Sequence, residues 1–207
     1  MQKKGYKIVG GTDEAGRGAL AGPVSAAIVI IKDASLKIFK GVQESKKLTE
    51  KQRENFYRKI IKSPYLQWGT GRVFPRKIDK INILEATKLA MIRAVKNVER
   101  KMKKRLDLLI LDGNFKINLN ISQKSIQGAD EKVLSCACAS IIAKVSRDRF
   151  MRVQDKLYSK YFFSRHKGYG TALHFKAIHR YGPCELHRKS FSPIKGLKNK
   201  LSTHLPR

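Results

Sequence analysis

Hydrophobic residues run along the chain in blocks whose spacing switches between the strand period and the helix period. Residues 6–12 predict a short strand. Residues 23–31 predict a second, and its lack of a polar face predicts burial on both sides. Thr49 predicts a helix start, because Gln52 three positions on completes a capping box. Residues 67–74 predict a third strand, interrupted by Gly69 and Gly71. Residues 83–102 carry a helical period that gathers Leu84, Thr87, Met91, Ala94, Val95 and Val98 on one face. A fourth strand is predicted at 106–111 and a fifth at 119–126. Asp130 then precedes a long helical pattern ending near Lys160, with Val133, Ala137, Ile141, Val145 and Phe150 near one face. A shorter helix, 171–180, is stopped by Gly182 and Pro183. Strands interleaved with helices predict an α/β domain in which helices cover a mixed sheet.

Length and composition narrow this picture. The 207 residues are 42% hydrophobic, enough for one sizeable core, and carry no internal repeat or low-complexity linker. The expectation is a single domain over 1–207, with a core over about 1–165 and a basic C-terminal helical segment and tail over about 166–207. The last twelve residues, from Gly196, read as polar tail. Lys and Arg number 45 against 16 Asp and Glu, a formal charge of +29 that points to a polyanionic partner. The excess is concentrated late: Glu185 is the only acid between Lys156 and Arg207, against twelve Lys or Arg, and all five histidines lie there too.

Other classes drop out. The longest apolar run, 26–31, is far short of the about 20 residues a membrane span takes. The N-terminus has no apolar signal-peptide region. Cys136, Cys138 and Cys184 fit neither a disulfide framework nor a zinc site, and Cys136 and Cys138 read as buried structural cysteines. A cytoplasmic protein with no membrane contact is expected.

The placement of the acids carries the chemistry. Asp13 and Glu14 follow the first predicted strand and precede Gly16-Arg17-Gly18. Asp112 follows the strand Leu108-Leu109-Ile110-Leu111, and Asp130 follows Gly128-Ala129 at a helix start. Sites in open α/β sheets collect at strand ends. If the first and fourth strands are neighbours, these four carboxylates converge, and their mutual repulsion calls for a hard divalent cation, Mg²⁺ or Mn²⁺. In so basic a chain, such a cluster points to phosphate chemistry. Each acid also has a plainer reading: Asp130 as a helix cap, Asp112 as a turn residue, Asp13 and Glu14 as an exposed loop. Gly16-x-Gly18-x-x-Ala21 matches a dinucleotide fingerprint, but that motif must open a helix, and here Pro23 and a strand follow. No nucleotide cofactor is expected. The histidines read as packing or phosphate-facing groups.

The run Thr12-Asp13-Glu14-Ala15-Gly16-Arg17-Gly18, with Leu20-Ala21-Gly22-Pro23-Val24 behind it, resembles the opening motif of the ribonuclease HII family, the type 2 ribonucleases H. Glu44-Ser45-Lys46-Lys47-Leu48, Leu111-Asp112-Gly113-Asn114 and Ala129-Asp130 are similar to further family motifs. So are the stretch from Ala139 to Asp148, His166-Lys167-Gly168-Tyr169-Gly170-Thr171, and the stretch from His187 to Pro193, all in family order. The resemblance implies a ribonuclease H-like mixed β-sheet flanked by helices, with a C-terminal helical segment. It implies a metal-dependent endoribonuclease that cleaves the RNA strand of RNA–DNA hybrids. It also implies nicking 5′ of single ribonucleotides in duplex DNA, leaving 3′-hydroxyl and 5′-phosphate ends. By the same resemblance, Asp13, Glu14, Asp112 and Asp130 are the catalytic, metal-holding carboxylates. Gly16, Arg17 and Gly18 form a backbone cradle for the ribose 2′-hydroxyl, and Tyr169 packs on the following deoxyribose. Ser45, Lys46 and Lys47 contact phosphate. Glu44 departs from the family, which has Asp there, and altered local hydrogen bonding with retained activity is expected. A monomer is expected. The competing class is a non-catalytic basic nucleic-acid-binding protein on the same fold, against which the full set of four acids speaks.

Overall fold

The structure, a computed structural model, describes residues 5–32, 41–42 and 48–201, the side chains of 198–201 excepted. In chain order its elements are β1 (Val9–Ala15), β2 (Val24–Ile31), α1 (Glu50–Lys62), β3 (Leu66–Val73), α2 (Pro75–Met102), β4 (Leu108–Asp112) and β5 (Ser122–Ile126). There follow α3 (Ala129–Lys132), α4 (Leu134–Leu157), a 3-10 turn (Ser159–Tyr161), α5 (Phe163–His166), α6 (Ala172–Tyr181) and α7 (Ile194–Leu201). Strand order is β3-β2-β1-β4-β5. β1, β2 and β3 form an antiparallel meander, while β4 and β5 run parallel to β1. This is the expected mixed sheet flanked by helices.

The lack of a polar face in β2 has its cause in two packed layers. Val24, Ala26, Ile28 and Ile30 point into a core built with Ala90, Met91, Ala94, Val95 and Val98 of α2. Ala27 and Val29 point the other way, onto Tyr57 and Ile60 of α1 and Ala137, Ile141 and Ile142 of α4. Gly69 and Gly71 do not break β3; a Cβ on them would come within 2.5 and 2.1 Å of the α2 carbonyls of Ala94 and Ala90. Their bare backbones let α2 lie directly on the sheet.

Several boundaries differ from the predicted ones for local reasons. β1 extends to Ala15, since Asp13 and Glu14 stay paired with Ala27 and Ala26. The acids therefore lie inside the strand, not after it. α2 starts at Pro75 rather than 83 and kinks at Asn82, whose φ is 63°. The Asn82 side chain accepts from Glu85 N at 3.1 Å and recaps the second limb. The stripe then runs through Ile83 instead of Leu84, which is exposed. The long pattern after Asp130 divides at Val133 (φ −127°, ψ 113°) into one turn, α3, and the long helix α4, in which Phe150 is only partly buried. The Thr49–Gln52 capping box is present, with Gln52 N donating to Thr49 Oγ1 at 3.3 Å and Thr49 N to Gln52 Oε1 at 2.8 Å. The predicted polar tail begins instead as part of α7. No helix among the described residues is long and apolar enough to cross a membrane.

Candidate active site

β1 and β4 are adjacent and parallel, and their register pairs Thr12 with Leu111. One step further, Asp13 and Asp112 stand side by side at the carboxyl ends of the two strands. Asp112 Oδ1 accepts from Ala129 N at 3.0 Å, which fastens the first turn of α3 to the end of β4 and carries Asp130 to the same point. Carboxylate oxygens of Asp13, Asp112 and Asp130 lie within 4.8 Å of one another. Asp13 and Asp130 are buried, at 7% and 2% exposure. The helix cap is Gly128, so capping does not account for Asp130.

Burial pushes the Asp13 carboxyl well above the ordinary carboxylate range, and the charges of Glu14 and Asp112 push it further. Hydrogen bonds from Glu14 N (2.7 Å to Oδ1) and from Ser140 act in the opposite direction. Glu14 stands at the edge of the cluster. One of its oxygens accepts from Arg17 Nη1 at 3.2 Å, while Oε2 is buried without a hydrogen-bond partner. Burial raises the Glu14 carboxyl too, with Arg17 opposing the rise. The residues therefore fit a hard divalent cation: three oxygen ligands converge, a fourth carboxylate has an unsatisfied buried oxygen, and among the described residues no soft ligand joins the group.

Next to the carboxylates, residues 16–23 form a loop leading straight into β2, so the dinucleotide motif opens no helix. Gly16 has φ +89°, and a Cβ there would fall 2.0 Å from Arg147 Nε, so its own fold requires glycine. Gly18 is different: a Cβ there would meet nothing within 4 Å. Tyr169 is half-buried, with Lys144 Nζ 5.3 Å and Arg147 Cζ 5.2 Å from its ring centre. It lines a cavity of ≈ 240 Å³ together with Glu14, Gly16, Arg53, Ser140 and Lys144. The structure thus brings Asp13, Glu14, Asp112, Asp130, the glycine loop and Tyr169 to one region. Ser45, Lys46 and Lys47, with Glu44, lie outside the described residues.

Sequence reasoning missed what stands behind the loop. Arg147 and Arg188 are fully buried. Arg147 donates to the carbonyls of Pro23 (2.9 Å), Lys167 (2.9 Å) and Ala21 (3.0 Å). Arg188 donates to those of Gly22 (3.1 Å), Arg17 (2.7 Å) and Gly16 (2.6 Å). A signal for Arg147 did exist: it stands four residues from Ala143 and from Met151, on the buried face of α4.

Three histidines also proved to be core groups. Gly168 N donates to His166 Nδ1, so His166 holds its proton on Nε2, towards Tyr161 O at 2.8 Å. Cys184 N donates to His187 Nδ1, leaving the His187 proton on Nε2, 3.0 Å from His174 Nε2. His174 then carries its proton on Nδ1, towards Tyr169 O at 2.9 Å. Burial, before any charge effect, pulls His174 and His187 down to about 4. All three are neutral packing groups, and the chain from His187 through His174 ends on the backbone of Tyr169. Cys136 and Cys138 are buried thiols whose pKa burial raises, in keeping with a structural role.

Comparison with known proteins adds the following. A family model described as Ribonuclease HII matches residues 10–194. The ribonuclease HII of Chlamydia trachomatis serovar A is 47% identical over 193 residues, 93% of this chain and 86% of the relative. That of Caldicellulosiruptor saccharolyticus is 48% identical over 191 residues, 92% of this chain and 90% of the relative. Among solved structures, the ribonuclease H2 from Pyrococcus horikoshii superposes with a TM-score of 0.76 at 23% identity, covering 96% of this chain and all (100%) of that one. Bst-RNase HIII in complex with Mn²⁺ gives 0.72 at 16% identity, covering 95% of this chain and 71% of that one. At those identities the two structures speak for the fold.

Proposed function

The chain belongs to the ribonuclease HII family, and from that premise we propose which residues perform the reaction and how the substrate is chosen. Members of this family are divalent-metal-dependent nucleases that cleave RNA paired with DNA, which sets aside the non-catalytic alternative. In our reading, Asp13, Glu14, Asp112 and Asp130 are the catalytic, metal-holding carboxylates, and the protein nicks duplex DNA 5′ of a single ribonucleotide as well as cleaving longer hybrids. The observation that carries this is the convergence of Asp13, Asp112 and Asp130 within 4.8 Å at adjacent strand ends, beside the glycine loop. A divalent cation bound there, Mg²⁺ or Mn²⁺, supplies activation of a water and stabilisation of the leaving 3′ oxygen.

The chain's own residues do the rest. Asp112 holds the start of α3 through Ala129 N, and so fixes Asp130 against Asp13. Glu14 keeps one oxygen on Arg17 and presents the other to the site. Telling RNA from DNA at one sugar takes hydrogen bonds to the 2′-hydroxyl. In this reading Gly16, Arg17 and Gly18 make them, and the open space at Gly18, which leaves room for a sugar edge, supports it. Tyr169 borders a cavity that Glu14 and Gly16 also line, where its ring would disfavour a second hydroxyl on the next sugar. Ser45, Lys46 and Lys47 complete the reading as phosphate contacts on sequence grounds. The protein acts as a monomer and as one catalytic domain.

The test is a nicking assay on two duplexes of identical sequence, one with a single ribonucleotide and one all-DNA, each with Mg²⁺ or with EDTA. A metal-dependent nick at the ribonucleotide alone is expected. Equal cutting of both duplexes would remove sugar discrimination, and metal-independent cutting would remove the carboxylate mechanism. The +29 charge adds a second expectation: affinity for duplex should fall roughly a thousandfold or more between 50 and 200 mM salt if six or more phosphates are contacted.

A further inference from the structure

In a trans peptide the carbonyl of one residue and the N–H of the next point in opposite directions. Arg188 draws the carbonyls of Gly16 and Arg17 inward, at 2.6 and 2.7 Å. The N–H groups of Arg17 and Gly18 must therefore point outward, and neither has an acceptor among the described residues. They are two adjacent donors on the outward side of a loop that is also open at Gly18, where a Cβ would meet nothing within 4 Å. The third Arg188 donor, Nε, holds Gly22 O at the far end of the loop, so one planar group spans both limbs of the turn.

Arg188 is itself well anchored. Its N–H donates to Leu20 O at 2.8 Å, and the Phe191 ring lies 5.0 Å from its guanidinium. Asp79 accepts from Lys189 N, Ser190 N and Ser190 Oγ, pinning the next two residues to the first limb of α2. Burying a guanidinium is costly unless its donors find acceptors. Here each of its three nitrogens donates to a carbonyl of one loop. A lysine has a single ammonium and cannot serve three carbonyls set in one plane.

We propose that Arg188 is a positioning residue for sugar recognition: by turning the Gly16 and Arg17 carbonyls inward, it presents the Arg17 and Gly18 N–H groups to the ribose 2′-hydroxyl. This rests on the reading above that the loop recognises the ribose. Arg147 acts from the other side, filling the space of the missing Gly16 Cβ while holding Ala21, Pro23 and Lys167.

Three variants test the assignment: Arg188→Lys, Asp79→Ala, which loosens the Arg188 segment without emptying a buried charge, and Gly18→Ala, which adds a methyl where the fold has room. Readouts are single-turnover nicking at one embedded ribonucleotide, affinity for the all-DNA duplex in EDTA, and the thermal midpoint. Arg188→Lys and Gly18→Ala should each slow nicking by about tenfold or more. Asp79→Ala should slow it less. All-DNA affinity, set by phosphate contacts, should stay within about twofold. If Gly18→Ala slows nicking but Arg188→Lys and Asp79→Ala do not, the loop reads the sugar and the role given to Arg188 is wrong. If all three nick like the parent, the sugar-reading loop itself is wrong. A loss of nicking matched by an equal loss of all-DNA affinity would make Arg188 a purely structural residue and overturn the proposal.

Discussion

Two buried, charged regions meet at the loop of residues 16–23, and they settle their charge in opposite ways. On the carboxylate side, Asp13, Asp112 and Asp130 crowd together, Glu14 has a buried oxygen without a partner, and Asp13 is held well above its ordinary pKa. On the C-terminal side, Arg147 and Arg188 spend their donors on six backbone carbonyls, and His166, His174 and His187 are neutral with their ring protons assigned to acceptors. The brace is hydrogen-bonded from within, although burial lowers the pKa of both arginines and the charge of Arg147 lowers that of Arg188 further; the carboxylates converge where a cation can join them. A region finished internally serves as scaffold, and one left unbalanced serves as a binding site.

The sharpest way to break this contrast is Asp13→Asn. Nicking should fall by about a thousandfold or more, since the carboxylates act as a unit. Stability should move the other way. A carboxyl whose folded pKa is raised contributes stability below the unfolded value of 3.8 and loses it as pH rises through the folded value. In EDTA at pH 7 the variant should therefore melt above the parent, and the gain should vanish near pH 3. Mn²⁺ should then raise the parent's midpoint more than the variant's. A midpoint that drops in EDTA at neutral pH would mean the acids are internally balanced after all.

Acid probes the brace. His174 and His187 sit at about 4 in the folded chain against an ordinary 6.5. Their contribution is full above pH 6.5 and is lost as pH falls through about 4, on the order of 3 kcal/mol for the pair because they share one hydrogen bond. Asp13 and Glu14 titrate in the opposite sense over an overlapping range, so the melts belong in the Asp13→Asn background. There the midpoint should decline as pH drops from 6.5 to 4, and His174→Gln should flatten the decline. An unchanged slope would place the acid-sensitive groups elsewhere.

The smallest effect calibrates the others. Thr49→Ala removes the α1 cap, away from both regions, and should cost about 1 kcal/mol, or about 2–4 °C in midpoint. Circular dichroism melts would detect it. The pH slope and the preference for a ribonucleotide should both be unaffected, and a shift in either would show that the two regions are less self-contained than drawn.

Much of the carboxylate region was legible before any coordinates. Asp13 and Glu14 lie near the end of β1, Asp112 at the end of β4 and Asp130 at a helix start, positions close to those the local hydrophobic period marks, and their convergence needs only that β1 and β4 be neighbours. The brace was not legible in the same way. Arg188 sits in a basic stretch within a motif similar to the family's, and nothing near it in sequence reveals that it meets Gly16, 172 positions away. Leu84 misled because an amphipathic stripe allows for neighbouring residues, and the kink at Asn82 chose Ile83.

The sequence by itself determined the strands and main helices, the capping box at Thr49, and the four acids suited to a hard cation. These depend on residues within a turn or two of one another, where pattern and propensity act directly. Tertiary structure alone decided which three carboxylates close to within 4.8 Å, which glycine the fold requires and which it leaves open, and that Arg147 and Arg188 turn inward. The physical reason is that burying a charge is favourable only where distant backbone supplies the acceptors, and only the assembled chain brings those acceptors together.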